Sequence, residues 1–250
     1  MIEVIYIMLI RQIKLFYRSR PRVMGSIAQP TLFLFALGLG FGPVFEATGE
    51  LDYIQYLTPG VIGMSLLFGS MMNGMSLIWD KKFGFLKETL VAPASRSALL
   101  VGRSLGGATT GILQGLIVFT LSTVLMGYRL GHGGVIPLVI LVMLTIALTF
   151  TLLGNVIAAK VNDFEAFPMV MNFLILPMFF LSGAIFPIAN LPDPVVLITR
   201  INPMTYGVNL LRSSMNLELS LANILDLGVL LAIIVVLLII GRSVFKKIET

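Results

Sequence analysis

The sequence predicts an all-α membrane protein of six transmembrane helices, and three observations carry that prediction. Hydrophobic residues make up 57% of the 250 and charged residues only 12%, with a mean hydropathy of +0.99; soluble domains carry about a quarter charged residues. Six apolar stretches are long enough to cross a hydrocarbon core, which takes about 20 helical residues each. The basic residues, finally, are shared unevenly between the connecting segments, as the positive-inside rule requires. With both termini inside, the outer segments hold only Arg129, Arg200 and Arg212 of the 17 basic residues, whereas the 12 acids divide evenly. A net charge of +5 in such a chain reports this bias and not an affinity for nucleic acid. Cysteine is absent and His132 is the single histidine, so neither a disulfide framework nor a Cys/His metal site is available. The chain reads as one transmembrane domain over 1–250.

Residues 1–22 begin apolar and end basic, the reverse of a secretory signal. Arg11, Lys14 and Arg18 recur at i, i+3 and i+7 opposite Leu9, Ile13, Phe16 and Tyr17. That pattern describes an amphipathic helix lying in the membrane interface or, more simply, a basic flank to the first span. The spans are expected near 24–44, 53–78, 105–126, 135–159, 167–188 and 220–241. Pro30 and Pro177 are expected to kink the first and fifth. In the third, Gly107, Gly111 and Gly115 form a ladder of small residues along which another helix can approach closely. Gln29, Asn73, Gln114, Asn155 and Asn172 are amides suited to hydrogen bonding between helices. The last span is uninterrupted only from Leu227 to Ile240, so it has to take in Asp226, whose carboxylate costs least near the outer surface.

Between spans 2 and 3 lies a charged island, Asp80 to Arg96, DKKFGFLKETLVAPASR. Phe83, Leu86 and Leu90 at i, i+3 and i+7 predict one helix with an apolar stripe and a charged face. Pro93 ends it, and Ser95 is placed to cap the next helix. A helix of about 11 residues is marginal alone in water, so it has to dock on headgroups or in the groove of a soluble partner. Asp80 and Glu88 among the lysines favour a partner with charges of both signs.

The segment 189–219, between spans 5 and 6, is too short and polar to cross yet too apolar to float free. Asn202 and Pro203 read as a helix cap and first helical residue, and Met204, Val208, Leu211 and Met215 as the stripe that follows. Short helices dipping into the outer leaflet or capping the bundle satisfy both constraints; a helix resting on the outer headgroups is the alternative.

No G-x-x-x-x-G-K-[ST] loop occurs, so the chain lacks an ATP site of that kind. No carboxylate pair or charged relay lies within the spans, which removes the usual sign of ion-coupled transport. Energy then comes from elsewhere, or flow is passive, although no selectivity-filter motif is present.

Three motifs in order, GFLKETLVAPASR, FPMVMNFLILPMFFLSGAIFP and INPMTYGVNLLR, resemble the type-2 ATP-binding-cassette export permeases, especially the daunorubicin-resistance-like branch. The resemblance covers nearly the whole chain. It implies a six-span permease with cytoplasmic termini, working as a dimer with two separate ATPase subunits that hold ATP and Mg. It also implies a coupling helix after span 2 and re-entrant outer helices between spans 5 and 6. Carried over by position, Gly84, Leu86, Glu88, Leu90, Pro93, Ser95 and Arg96 fall on the coupling-loop pattern. Asp80 and Lys81 stand where a similar acid and base pair often occurs, and Phe83 joins them as an apolar anchor.

The expected function is therefore the membrane subunit of an exporter, with no catalytic, cofactor or metal site of its own, moving a hydrophobic or amphipathic compound out of a prokaryotic cell through its plasma membrane. Export of a lipid-linked glycan or polysaccharide is an alternative, and a passive channel or scaffold without an ATPase is the alternative from another class. A candidate path runs along Phe33, Phe35 and Phe41 of span 1 and Asn172, Phe173, Phe179 and Phe180 of span 5. Asn202, Pro203, Tyr206 and Arg212 are the candidate lid over its exit.

Overall fold

A chain this apolar has to satisfy its backbone hydrogen bonds within itself, and every regular element among the described residues is a helix. The computed structural model describes residues 2–48, 52–86, 89, 95–131, 135–161, 163–188, 192–217 and 220–246. In order the helices are α1 (Ile2–Arg18), α2 (Arg20–Thr48), α3 (Tyr53–Met72), α4 (Met75–Lys82), α5 (Arg96–Met126), α6 (Ile136–Lys160), α7 (Ala166–Phe180), α8 (Asp193–Ile201), α9 (Pro203–Asn216) and α10 (Leu221–Lys246). Among the described residues five stretches are long and apolar enough to cross a membrane: Val23–Phe45 of α2, Tyr53–Lys82 through α3 and α4, and the whole of α5, α6 and α10.

Local chemistry sets several of the ends. Asp52 accepts from the amides of Ile54 and Gln55 at the start of α3, and Ser95 from that of Ala98 at the start of α5. Gly127, at φ 72°, ends α5. Pro30 and Pro43 lie inside α2 without ending it. Asp226 falls in the second turn of α10.

Two of the expected spans are not single helices, although the first of them falls within the crossing stretch Tyr53–Lys82. The stretch 53–78 is not one helix, because a turn at Asn73 and Gly74 separates α3 from α4. Here backbones touch: a Cβ on Gly74 would lie 2.6 Å from the Gly154 carbonyl oxygen, and one on Gly154 would lie 2.4 Å from that of Met71. Nor is 167–188 one helix. α7 stops at Phe180, and residues 181–186 form turns and bends, with Gly183 at φ 75°. Its 15 residues reach about 22 Å, short of a hydrocarbon core of about 30 Å.

The core is centred on α3, which packs against α2, α5, α6, α7 and α9. Gly107, Gly111 and Gly115 lie against α3 and α6, where added Cβ atoms would meet Asn73, Ser70, Leu66, Thr151 and Met143. α1 packs along the first turns of α5, over Gly102 and Gly106. Its buried face is Met8, Gln12 and Phe16, which corrects the expected stripe, since Tyr17 is exposed and Leu9 and Ile13 only partly covered. The end of the bundle that carries Asp80, Arg96 and Lys246 is called the basic end below.

Candidate functional site

At the basic end the charged island divides into two parts, which corrects its reading as a single helix. Asp80, Lys81 and Lys82 are the last turn of α4; Phe83 follows it, and Gly84 takes φ 79°, a conformation that side-chain-bearing residues avoid. Phe85 and Leu86 then begin a new helical turn, with the Thr89 hydroxyl donating to the Phe85 carbonyl at 2.8 Å. Glu88, Leu90 and Pro93 lie outside the described residues.

Asp80 is not on the surface. Its carboxylate accepts from Arg11 of α1 at 2.9 and 2.5 Å and from Arg103 of α5 at 2.5 Å. Arg103 also donates to Ser76, whose hydroxyl reaches Gln12 at 3.2 Å. The side chains of Asp80 and Arg103 are 6% and 3% exposed and that of Arg11 22%, so one buried anion is shared by two cations, with an excess of positive charge. The Arg11 guanidinium also lies 4.0 Å from the centre of the Phe85 ring, a cation–π contact that ties α1 to the second part of the island.

The two flanking cations face inward as well. Lys81 donates to the carbonyls of Ala158, Ala159 and Val161, at the C-terminus of α6. Arg96 donates to those of Phe245, at 3.1 Å, and Lys246, at the C-terminus of α10. Both use the unpaired carbonyls and partial negative charge that end a helix. Leu86 is 5% exposed and belongs to the core. Of the island residues expected to face a partner, the described structure leaves two exposed, Ser95 and, as the apolar member, Phe83 at 68%. It stacks on Trp79, which meets Phe164 edge-on, and the Lys82 amine lies over the Phe164 ring.

Beside this cluster a cavity of about 690 Å³ opens into the bundle. Arg11 and Asp80 lie at its basic end, and Gln29, Gln114 and Asn172 bring amides from α2, α5 and α7. Phe68, Met72, Met75 and Trp79 make the apolar wall. Of the candidate path residues Asn172 lines it, and the phenylalanines lie elsewhere among the described residues. Phe33 meets Phe179 edge-on, Phe179 meets Phe180, and Phe41 meets Tyr53 and Phe186. Phe35 is partly covered, and Phe173 is 80% exposed on the outside of α7.

At the opposite end α9 is packed on the bundle, with Met204, Val208, Leu211 and Met215 fully buried. Asn202 caps it, accepting from the Met204 amide at 3.0 Å while donating to the Met178 carbonyl at 2.6 Å; Pro203 is the first helical residue. Tyr206 donates to the Arg200 carbonyl. Arg212 donates to the Gly183 carbonyl at 3.1 Å and lies over the Tyr56 ring, whose hydroxyl also reaches Gly183. The four candidate lid residues thus share one end, joining α9 to the turn behind α7.

Sequence reasoning misses Arg11, Arg103, Trp79 and Phe164. The available signal is Arg103 itself: a cation one turn before the glycine ladder needs an anion, and Asp80 is the acid at the end of span 2.

A family model described as ABC-2 type transporter matches residues 3–216. Among curated proteins the chain is similar to nodulation protein J of Rhizobium leguminosarum bv. viciae, 27% identical over 90% of this chain and 86% of that one. It is also similar to the putative transport permease ycf38 of Cyanophora paradoxa, 28% identical over 96% of this chain and 87% of the relative, and to that of Pyropia yezoensis, 29% identical over 86% and 76%.

Proposed function

The chain belongs to the ABC-2 type transporter family, and on that premise we propose that it is the membrane subunit of an ATP-driven exporter of a hydrophobic or amphipathic compound, drug-like or lipid. In this reading two copies assemble in the plasma membrane of a prokaryotic cell with both termini in the cytoplasm. Two separate ATPase subunits bind ATP and Mg and dock at the basic end. α7 with the turn behind it makes a sixth crossing, α1 lies at the membrane interface, and α8 and α9 form a re-entrant lid.

The observation that carries the reading is the cavity with both amide and apolar walls, opening beside an exposed aromatic cluster at the end where the motor would dock. Exposed Leu32 and Leu39 of α2 and Met169 and Phe173 of α7 offer apolar surface that lipid or a second copy would cover. The test is to purify the tagged chain with the ATPase encoded beside it and to measure ATP hydrolysis in vesicles across a panel of amphiphiles. Co-purification and compound-dependent stimulation are expected. Isolation of the chain without any ATPase, together with ATP-independent flux, would establish the channel instead.

A further inference from the structure

We propose that the cavity selects cargo by charge and hydrogen bonding, taking amphiphiles with an anionic, hydroxyl-bearing head and turning away cationic ones. This rests on the transport reading above and adds to it the class of cargo.

The charge part follows from the lining. Among the described residues that line the cavity, Arg11 and Asp80 are the charged ones. Asp80 offers nothing to a cation, because Arg11 and Arg103 already share its two oxygens and it is buried beneath them. Arg11 is different. A guanidinium has five N–H donors, two are spent on Asp80, and the side chain keeps 22% of its exposure where it borders the cavity. The local excess of positive charge therefore has an outlet at the cavity wall, in a setting where a charged hydrogen bond is among the stronger contacts available.

Gln114 supplies the second part. Its side chain is buried at 3% exposure, it lines the cavity, and its Oε1 has no partner. The oxygen is pinned over Gly69 of α3, where an added Cβ would fall 1.9 Å from it. A buried acceptor without a donor is costly, and a head group that brings a hydroxyl or amide N–H is one way to pair it. Gln29 and Asn172 add two more amides across the same space, and Phe68, Met72, Met75 and Trp79 suit a hydrocarbon body.

The test uses the chain in phosphatidylcholine nanodiscs, alone or with its ATPase, and three probes that share one fluorescent dodecanoyl tail: lysophosphatidylglycerol, monoacylglycerol and an acylcholine. The anionic probe is expected to bind saturably and about tenfold or more tighter than the cationic one, with the neutral probe between. Arg11→Gln should bring the anionic probe down to the level of the neutral one. Gln114→Leu should weaken both hydroxyl-bearing probes severalfold and leave the cationic one unchanged. Equal binding of anionic and cationic probes by the wild type, or saturable binding of none, overturns the proposal even if Arg11→Gln fails to fold. The two readings fail separately. ATP-driven uptake of the cationic probe at the anionic rate would sink the charge rule and spare transport, whereas selective binding with no ATPase partner would do the reverse.

Discussion

Replacing Asp80 by Asn should destabilise the isolated chain severely, before any partner is involved. The change removes the one carboxylate among the described residues that pairs with Arg103 and leaves that guanidinium, 3% exposed, without that anion. Breaking a buried ion pair by removing one member costs about 3–5 kcal/mol, most of it the desolvation of the charge left behind. Arg11, at 22% exposed, can turn to water and should add little. Removing both buried charges, Asp80→Leu with Arg103→Met, leaves no orphan, and such replacements run from neutral to stabilising. The double variant should therefore recover to within about 1–2 kcal/mol of the wild type, allowing for imperfect packing. Reversible unfolding of the purified permease in mixed micelles of dodecyl maltoside and SDS gives both values. If Asp80→Asn unfolds within about 1 kcal/mol of the wild type, or the double variant is worse than the single, the anchoring argument is wrong and Asp80 returns to the docking surface.

Three further outcomes are expected. Gly154→Ala should cost about 3 kcal/mol or more and Gly111→Ala about 1, measured in the same micelles, because the new Cβ meets a backbone oxygen at 2.4 Å in the first case and the rotatable Ser70 hydroxyl at 2.6 Å in the second. Phe83→Ala should leave stability unchanged but reduce co-purification of an ATPase, whereas Leu86→Ala should cost about 2–4 kcal/mol of stability in the chain alone; the opposite pairing would reverse their assignment. Cysteines introduced at Met204 and Leu211, both fully buried, should resist a membrane-impermeant thiol reagent that labels one at exposed Asp193 rapidly, and equal labelling of all three would mean a loose α9.

The parts of this fold that are legible in the sequence have local causes. Ser95 caps α5, and Asn202 with Pro203 starts α9, because a cap needs only the residues beside it. The glycine ladder likewise announces close packing, though not the identity of the helices that use it. What is hidden is set by distant contacts. Residues 53–78 look like one apolar stretch, and the break at Asn73 and Gly74 appears only when Gly154 of another helix is brought against it. The buried face of α1 is decided by the gap over Gly102 and Gly106, which selects Met8 and Gln12 over the neighbouring Leu9 and Ile13. Composition could not separate the phenylalanines either: Phe68 lines the cavity while Phe173, on a shorter helix than expected, faces away from the bundle.

The inward turn of Asp80, Lys81 and Arg96 changes how the island would transmit force under the proposed function. A docking loop attached only to its own two spans could absorb a push by bending. Here Asp80 ties the end of α4 to α1 and α5, Lys81 ties it to the terminus of α6, and Arg96 ties the start of α5 to the terminus of α10. Arg11 also covers Phe85, just beyond Gly84 with its positive φ. A displacement at Phe83 therefore reaches four other helices through short, charged hydrogen bonds, and α1 leads directly into α2 across Ser19. Since α1, α4 and α5, which carry these anchors, also wall the cavity, the anchors and the candidate cargo site share three helices. Coupling then needs no long relay through the bundle, only that these contacts survive the stroke.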